Sequence, residues 1–322
     1  MKKNKNYTLY LIAIFLFILK FISNFFLGSF TQIKPFYMFS IFCVALGSIS
    51  DIIIIMLFGN YFLNKKYNKY VYITNILKFG LSIMIFTIIN ILIDKLPIKD
   101  TFYYLFNPIS STIKFLDILF ILYLISPLLT DFVKNINIEK TKIIICITLL
   151  FGLINLISNF ININMIFDTN CLIYIGYFLL GYLFNKYSEN FKNIKLYIII
   201  FVILYIYSSI ITFFLSNHSL NFTGYLLNSL SIIPMIMAFC IYVLFTKKVN
   251  SEKLKFTKKY LLYTLLISQI LFKILLKNYN FRNNNYIIYT LLLLIGLVLV
   301  SFIISFIFIK ISDFVIGGNS ED

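Results

Sequence analysis

The chain has 322 residues, of which 61% are hydrophobic and only 12% charged. Soluble domains are about 45–50% apolar and about 25% charged, so a soluble enzyme is excluded and an integral membrane protein is indicated. The formal net charge of +16 does not point to nucleic acid, because the cations neither form an amphipathic face nor sit beside stacking aromatics in a polar segment.

A span needs about 20 apolar residues, and windows of that kind fall at residues 7–30, 36–63, 70–93, 113–133, 142–161, 170–185, 194–215, 225–246, 259–277 and 285–311. The sequence therefore predicts an all-α polytopic membrane protein, residues 1–322 forming one transmembrane helical domain of about ten spans. The first window follows a basic start, "MKKNKNY", but runs on to Phe30 with no small-residue cleavage site, as a retained span does. The connections alternate in charge. Lys2, Lys3 and Lys5, then Lys65, Lys66 and Lys69, then Lys134, Lys140 and Lys142, then Lys186, Lys192 and Lys195, and finally six lysines between Lys247 and Lys259 lie on one side. The other side holds only Lys34, Lys95, Lys99, Lys277 and Arg282, with none in 162–169 or 216–224. Positive connections stay in the cytoplasm, which places both termini there.

Cys43, Cys146, Cys171 and Cys240 are far apart and lie in apolar runs, so they read as free thiols, with neither disulfides nor a metal site. The single histidine, His218, falls in a polar connection, and Arg282 reads as a flanking charge. No GxSxG, P-loop, HExxH or strand-borne GxGxxG occurs. What remains for chemistry is a set of charges in or near the apolar windows: Lys20, Asp51, Lys78, Lys114, Asp117 and Lys273. A central charge costs about 2.5–3.5 kcal/mol on insertion scales, so such residues are paired or functional. Lys20 lies about 20 Å along a helix from Tyr7, and Asn24 is one turn further on the same face. Asp51 fits either a place within a span or its shoulder. Lys78 is placed to snorkel, and Lys114 and Asp117, three apart, are spaced for a local salt bridge.

Four stretches resemble the acyltransferase 3 family, ten-span membrane proteins that acylate sugars of surface glycans: "LIAIFLFILKF", "DIIIIMLFGNYFLNKK", "LFNPISSTIKFLDILFILYLISPLLTDFV" and "YIGYFLLGYLFNKY". They fall in the family's order. The resemblance implies a multi-pass protein of a bacterial cytoplasmic membrane that moves an acetyl-type group from a cytoplasmic thioester, acyl-CoA, to a glycan or lipid-linked sugar. It implies no bound cofactor, and it makes the inner lysines Lys65, Lys66, Lys69 and Lys247 to Lys259 candidates for the donor's phosphates. Two departures stand out. Lys20 occupies the place of the family's catalytic histidine, and the arginine about ten residues earlier is missing from Leu9, Tyr10 and Leu11. A histidine suits a hydroxyl's proton because its pKa lies near 6.5, whereas a free lysine lies near 10.4. Lys20, oriented by Asn24, is then a substituted base, or else it pairs with Asp51 or Asp117 as a structural ion pair marking a degenerate site. A non-catalytic relative that binds a glycan or partner protein, and a carrier for lipid-linked sugars, are the other readings.

Overall fold

The computed structural model describes residues 5–29, 34–64, 68–97, 103–104, 111–161, 169–191, 193–216, 226–245, 263–275 and 286–315. Beyond the short 3-10 turn Ser188–Asn190, regular structure among them is α-helical: α1 (Lys5–Ser29), α2 (Lys34–Gly47), α3 (Ser50–Leu63), α4 (Lys69–Asp94), α5 (Ser111–Lys134), α6 (Ile138–Ile161), α7 (Thr169–Lys186), α8 (Ile194–Ser216), α9 (Ile232–Phe245), α10 (Tyr263–Leu275) and α11 (Tyr286–Val315). Six stretches are long and apolar enough to cross a membrane: Thr8–Leu27, Phe36–Leu63, Lys69–Asp94, Phe115–Lys134, Ile138–Ile161 and Ile194–Ser216. The protein is thus an all-α, multi-pass membrane protein. Each of the ten apolar windows carries a helix, but two depart from a single continuous one. The second is broken between α2 and α3, and in the eighth the helix begins only at Ile232.

The core is built on α3, whose residues Ile52 to Tyr61 are all buried. It packs most extensively against α7, and two glycines explain how. A methyl added at Gly59 would stand 1.9 Å from the Phe178 carbonyl oxygen, and one at Gly181 would stand 1.9 Å from that of Met56. Without lipid-phase hydrophobic attraction between helices, such close approach supplies the dispersion that joins them. Tyr242 of α9 reaches the same crossing and donates toward the carbonyls of Met56, at 3.3 Å, and Gly181, at 3.1 Å. At the periphery, α6 and α8 turn rows of large apolar side chains outward, among them Ile143, Ile147 and Leu150, and Ile203, Ile210 and Phe214.

Local breaks are each satisfied by side chains, as a bilayer requires. Pro127 inside α5 cannot bond the carbonyl of Tyr123, and Ser126 Oγ donates to that oxygen instead, at 2.7 Å. The neighbouring Leu124 carbonyl accepts from the Tyr72 hydroxyl of α4. The α5–α6 turn is held by the end of α7: Lys186 Nζ donates to the Lys134 and Ile136 carbonyls, and the Tyr187 hydroxyl to Ile136 at 2.6 Å. Asn68 and Asn137 cap the starts of α4 and α6 by accepting backbone N–H groups, the ordinary role of asparagine there.

The glycine crossing yields a direct test. Gly59→Ala and Gly181→Ala are expected to destabilise the protein by about 1–3 kcal/mol through overpacking. Gly80→Ala, whose added methyl meets nothing within 4 Å, should stabilise by about 0.5–1 kcal/mol. Thermal unfolding in one detergent compares the three.

Candidate functional site

The helix break between α2 and α3 creates the site. Ser48 Oγ donates to the Ala45 carbonyl at 2.8 Å and Ser50 Oγ to that of Gly47 at 2.7 Å, so both hydroxyls occupy carbonyls near the interruption. Gly47, at the end of α2, lies against the main chain of α1: a methyl there would come within 2.7 Å of Lys20 Cα. Position 20 is therefore held at its root by a backbone contact. Asp51 stands in the first turn of α3, where a helix N-terminus favours negative charge.

Lys20 and Asp51 meet. Lys20 Nζ donates to Asp51 Oδ2 at 2.5 Å, with side chains 26% and 13% exposed. The pair is neither fully exposed nor fully buried. Ser50 Oγ lies 3.3 Å from Asp51 Oδ1. Tyr177 of α7 donates its hydroxyl to the Ser229 carbonyl at 2.7 Å. The pair thus joins α1 to α3.

The other predicted residues do not join it. Asn24 is exposed, and the amine's partner is Asp51 rather than Asn24. Lys78 is half-buried in α4, and Asp117 is half-buried in the first turn of the Phe115–Lys134 stretch. Among the described residues neither has an ion-pair partner. The side chain of Lys114 lies outside the described residues, as do His218, Arg282, Lys65, Lys66 and Lys247 to Lys259. A second pair lies just past the third apolar window, which by sequence closes at residue 93. Asp94 is the last residue of α4, and Lys273 Nζ of α10 donates to its Oδ2 at 2.5 Å and to Asn90 Oδ1 at 3.1 Å. The signal was present in the i, i+4 spacing of Asn90 and Asp94, which puts an amide and a carboxylate on one face. Phe25 of α1 touches Phe272 of α10, with ring centroids 5.9 Å apart, so the helices carrying the two pairs are neighbours.

Cys43 and Cys240 are buried and Cys146 and Cys171 exposed, all as free thiols. Among the described residues no group of three His, Cys, Asp or Glu side chains could hold a metal ion. The site offers an ammonium, a carboxylate and hydroxyls, a set suited to moving a hydroxyl proton and stabilising an oxyanion.

A broken, buried helix with charges at its break, enclosed by long apolar helices, defines a membrane-embedded protein with a polar site inside its bundle. The sequence profile of the acyltransferase 3 family, described as an acyltransferase domain, matches residues 56–306. The chain belongs to that family. The match begins at Met56, so Lys20 and Asp51 precede it. No curated protein and no solved structure matches the chain.

The ion pair is open to a double-mutant cycle. Lys20→Ala and Asp51→Ala should each destabilise, while the double variant loses less than their sum, with a coupling of about 0.5–3 kcal/mol. Chemical unfolding of the four proteins in detergent measures it, and additive losses would contradict the pairing.

Proposed function

We propose that the protein transfers an acetyl-type acyl group from a cytoplasmic thioester, acyl-CoA, to a hydroxyl of a cell-surface glycan or lipid-linked sugar. The observation that carries this reading is a polar ion pair, Lys20–Asp51, inside the bundle of an acyltransferase-family protein. As an ion pair the site works differently from a lone lysine base. The Asp51 carboxylate takes the acceptor hydroxyl's proton, and the oxygen attacks the thioester carbonyl. The Lys20 ammonium faces the oxyanion that develops, where a preorganised donor is most effective. The C–S bond then breaks, and the departing thiolate recovers the proton from Asp51. No resident cofactor takes part.

The topology that suits this chemistry has ten spans in one domain, both termini in the cytoplasm, and the donor entering from the lysine-rich side of a bacterial cytoplasmic membrane. Inner lysines such as Lys69 would meet the donor's phosphates. Reporter fusions at the C-terminus and within residues 216–224 check it: a cytoplasmic signal at the first and an external one at the second are expected.

A second reading has an observation of its own. Both Lys20 and Lys273 are matched by carboxylates within the bundle, as in a degenerate relative that binds a glycan or a partner without transferring anything. Membranes carrying the wild type, Lys20→Ala and Asp51→Asn, supplied with radiolabelled acetyl-CoA, separate the two. Acyl transfer predicts label in glycan from the wild type and a loss of at least about 100-fold in both variants, the scale of removing a catalytic base or an oxyanion donor. An unlabelled wild type would favour the binding relative. Equal label in all three would remove the ion pair from the mechanism.

A further inference from the structure

The carboxylate of Asp94 is badly placed for its own helix. It is the last residue of α4, where the carbonyls of a helix end disfavour negative charge. The helix does not run on past it, because Lys95 takes a left-handed φ of 57° and turns its N–H back to the Ile91 and Leu92 carbonyls. Lys273 is in the opposite position. It lies in the last turn of α10, where a cation is favoured. Lys273 is therefore at home on α10 in any case, whereas Asp94 needs a cation from elsewhere and receives it from Lys273.

The hold on α4 is also light. Of its span 33% is buried, against 89% of Phe36–Leu63, and its buried residues, Ser82, Ile83, Phe86, Thr87, Asn90 and Ile91, all lie in its second half. Towards α10 it presents polar groups at two levels. Ser82 Oγ lies 3.4 Å from the Tyr263 hydroxyl, and further along Asn90 and Asp94 both accept from Lys273 Nζ. The two helices run parallel from the first contact to the second. The first half of α4 is tied instead to α5, by the Tyr72 hydroxyl on the Leu124 carbonyl and by Phe79 against Phe120, ring centroids 5.6 Å apart. A helix fastened to one neighbour near its start, and to another by a charge pair at its end, can swing about the first when the second lets go.

The pair is placed to let go. Its side chains are 25% and 23% exposed, and Asp94 closes the Lys69–Asp94 span. Each charge, once parted, reaches the polar boundary without crossing hydrocarbon. Behind the pair lies α1. Phe272, beside Lys273 in the chain, packs on Phe25 with ring centroids 5.9 Å apart. Phe25 follows Lys20 by about 7.5 Å along α1. Ile22, one turn before Phe25 on the same face, is 0% exposed.

We propose that Asp94, Asn90 and Lys273 form a latch between α4 and α10, whose release uncovers α1 between Phe25 and the Lys20–Asp51 pair. What enters by that path rests on the acyl-transfer reading; the opening itself does not.

The test takes the full-length protein in lipid nanodiscs with Ile22→Cys as reporter. The reporter is used alone, with Asp94→Asn, with Lys273→Gln, or with the exchanged pair Asp94→Lys and Lys273→Asp. A water-soluble maleimide is added, and peptide mass spectrometry follows residue 22 and the buried native Cys240 in the same sample. The expected result is modification at residue 22 about tenfold faster in either single variant, the scale of a coupling between directly paired residues. Cys240 should be unchanged, and the exchanged pair should return residue 22 to within about twofold of the parent. Equal rates at residue 22 in all four proteins would overturn the latch. So would a rise at Cys240 in step with residue 22, which marks general loosening, or an exchanged pair as fast as the single variants, which marks packing rather than charge. Latch behaviour in a protein whose wild type labels no glycan would sink the acyl-transfer reading and leave the latch standing.

Discussion

Where α3 crosses α7, the two main chains approach so closely that a methyl at Gly59 or Gly181 would overlap a carbonyl oxygen of the facing helix. Helices in a bilayer gain nothing from expelling water from one another, so this intimacy has to come from small residues and interdigitation. Tyr242 ties α9 to the same point by addressing one carbonyl from each helix. With α3 fixed there, its first turn is fixed as well, and Asp51 with it. The break that precedes Asp51 then determines where α2 can lie, and through Gly47 where α1 crosses. The candidate site follows from a contact about two turns away from it along α3.

Much of the helical layout was legible in the sequence because each window is long and apolar, and apolar length is the property a bilayer selects. The family likeness was legible for a related reason. "FGNYFL" and "FLLGYLF" contain Gly59 and Gly181, and "LYLISPLL" contains the Ser126–Pro127 device, so the resembling stretches are those with packing constraints. The interruption at Ser48 and Ile49 was hidden, since "VALGSISDIII" is apolar enough to read straight through. Periodicity reports burial, not whether carbonyls are satisfied along the axis or by serines across it. The partner of Lys20 was open for the same reason: Asn24 was its neighbour by helical spacing, while Asp51 becomes its neighbour only through the crossing of α1 with α2. Asp94 fell outside its window because a charge there looks like the start of a loop until Lys273 is placed beside it.

Hydroxyl groups divide into two populations. Most are committed to main-chain carbonyls, at the α2–α3 break, at Pro127 and along α8. Their function is to let helices bend or stop inside a medium that offers no water. Tyr37 and Thr212 belong to the smaller population, uncommitted and buried. Composition alone cannot distinguish the two groups, since a hydroxyl that satisfies a carbonyl and one that bonds nothing read alike in a row of letters.

The contact between Gly47 and the main chain of Lys20 has a consequence for substitution. Because the glycine touches the backbone of position 20 and not its functional group, the crossing accepts a change of head group there without repacking. Histidine, lysine or an inert side chain would start from the same anchored root and project from the same turn. Single substitutions at this position then change the group presented beside Asp51 while the architecture persists.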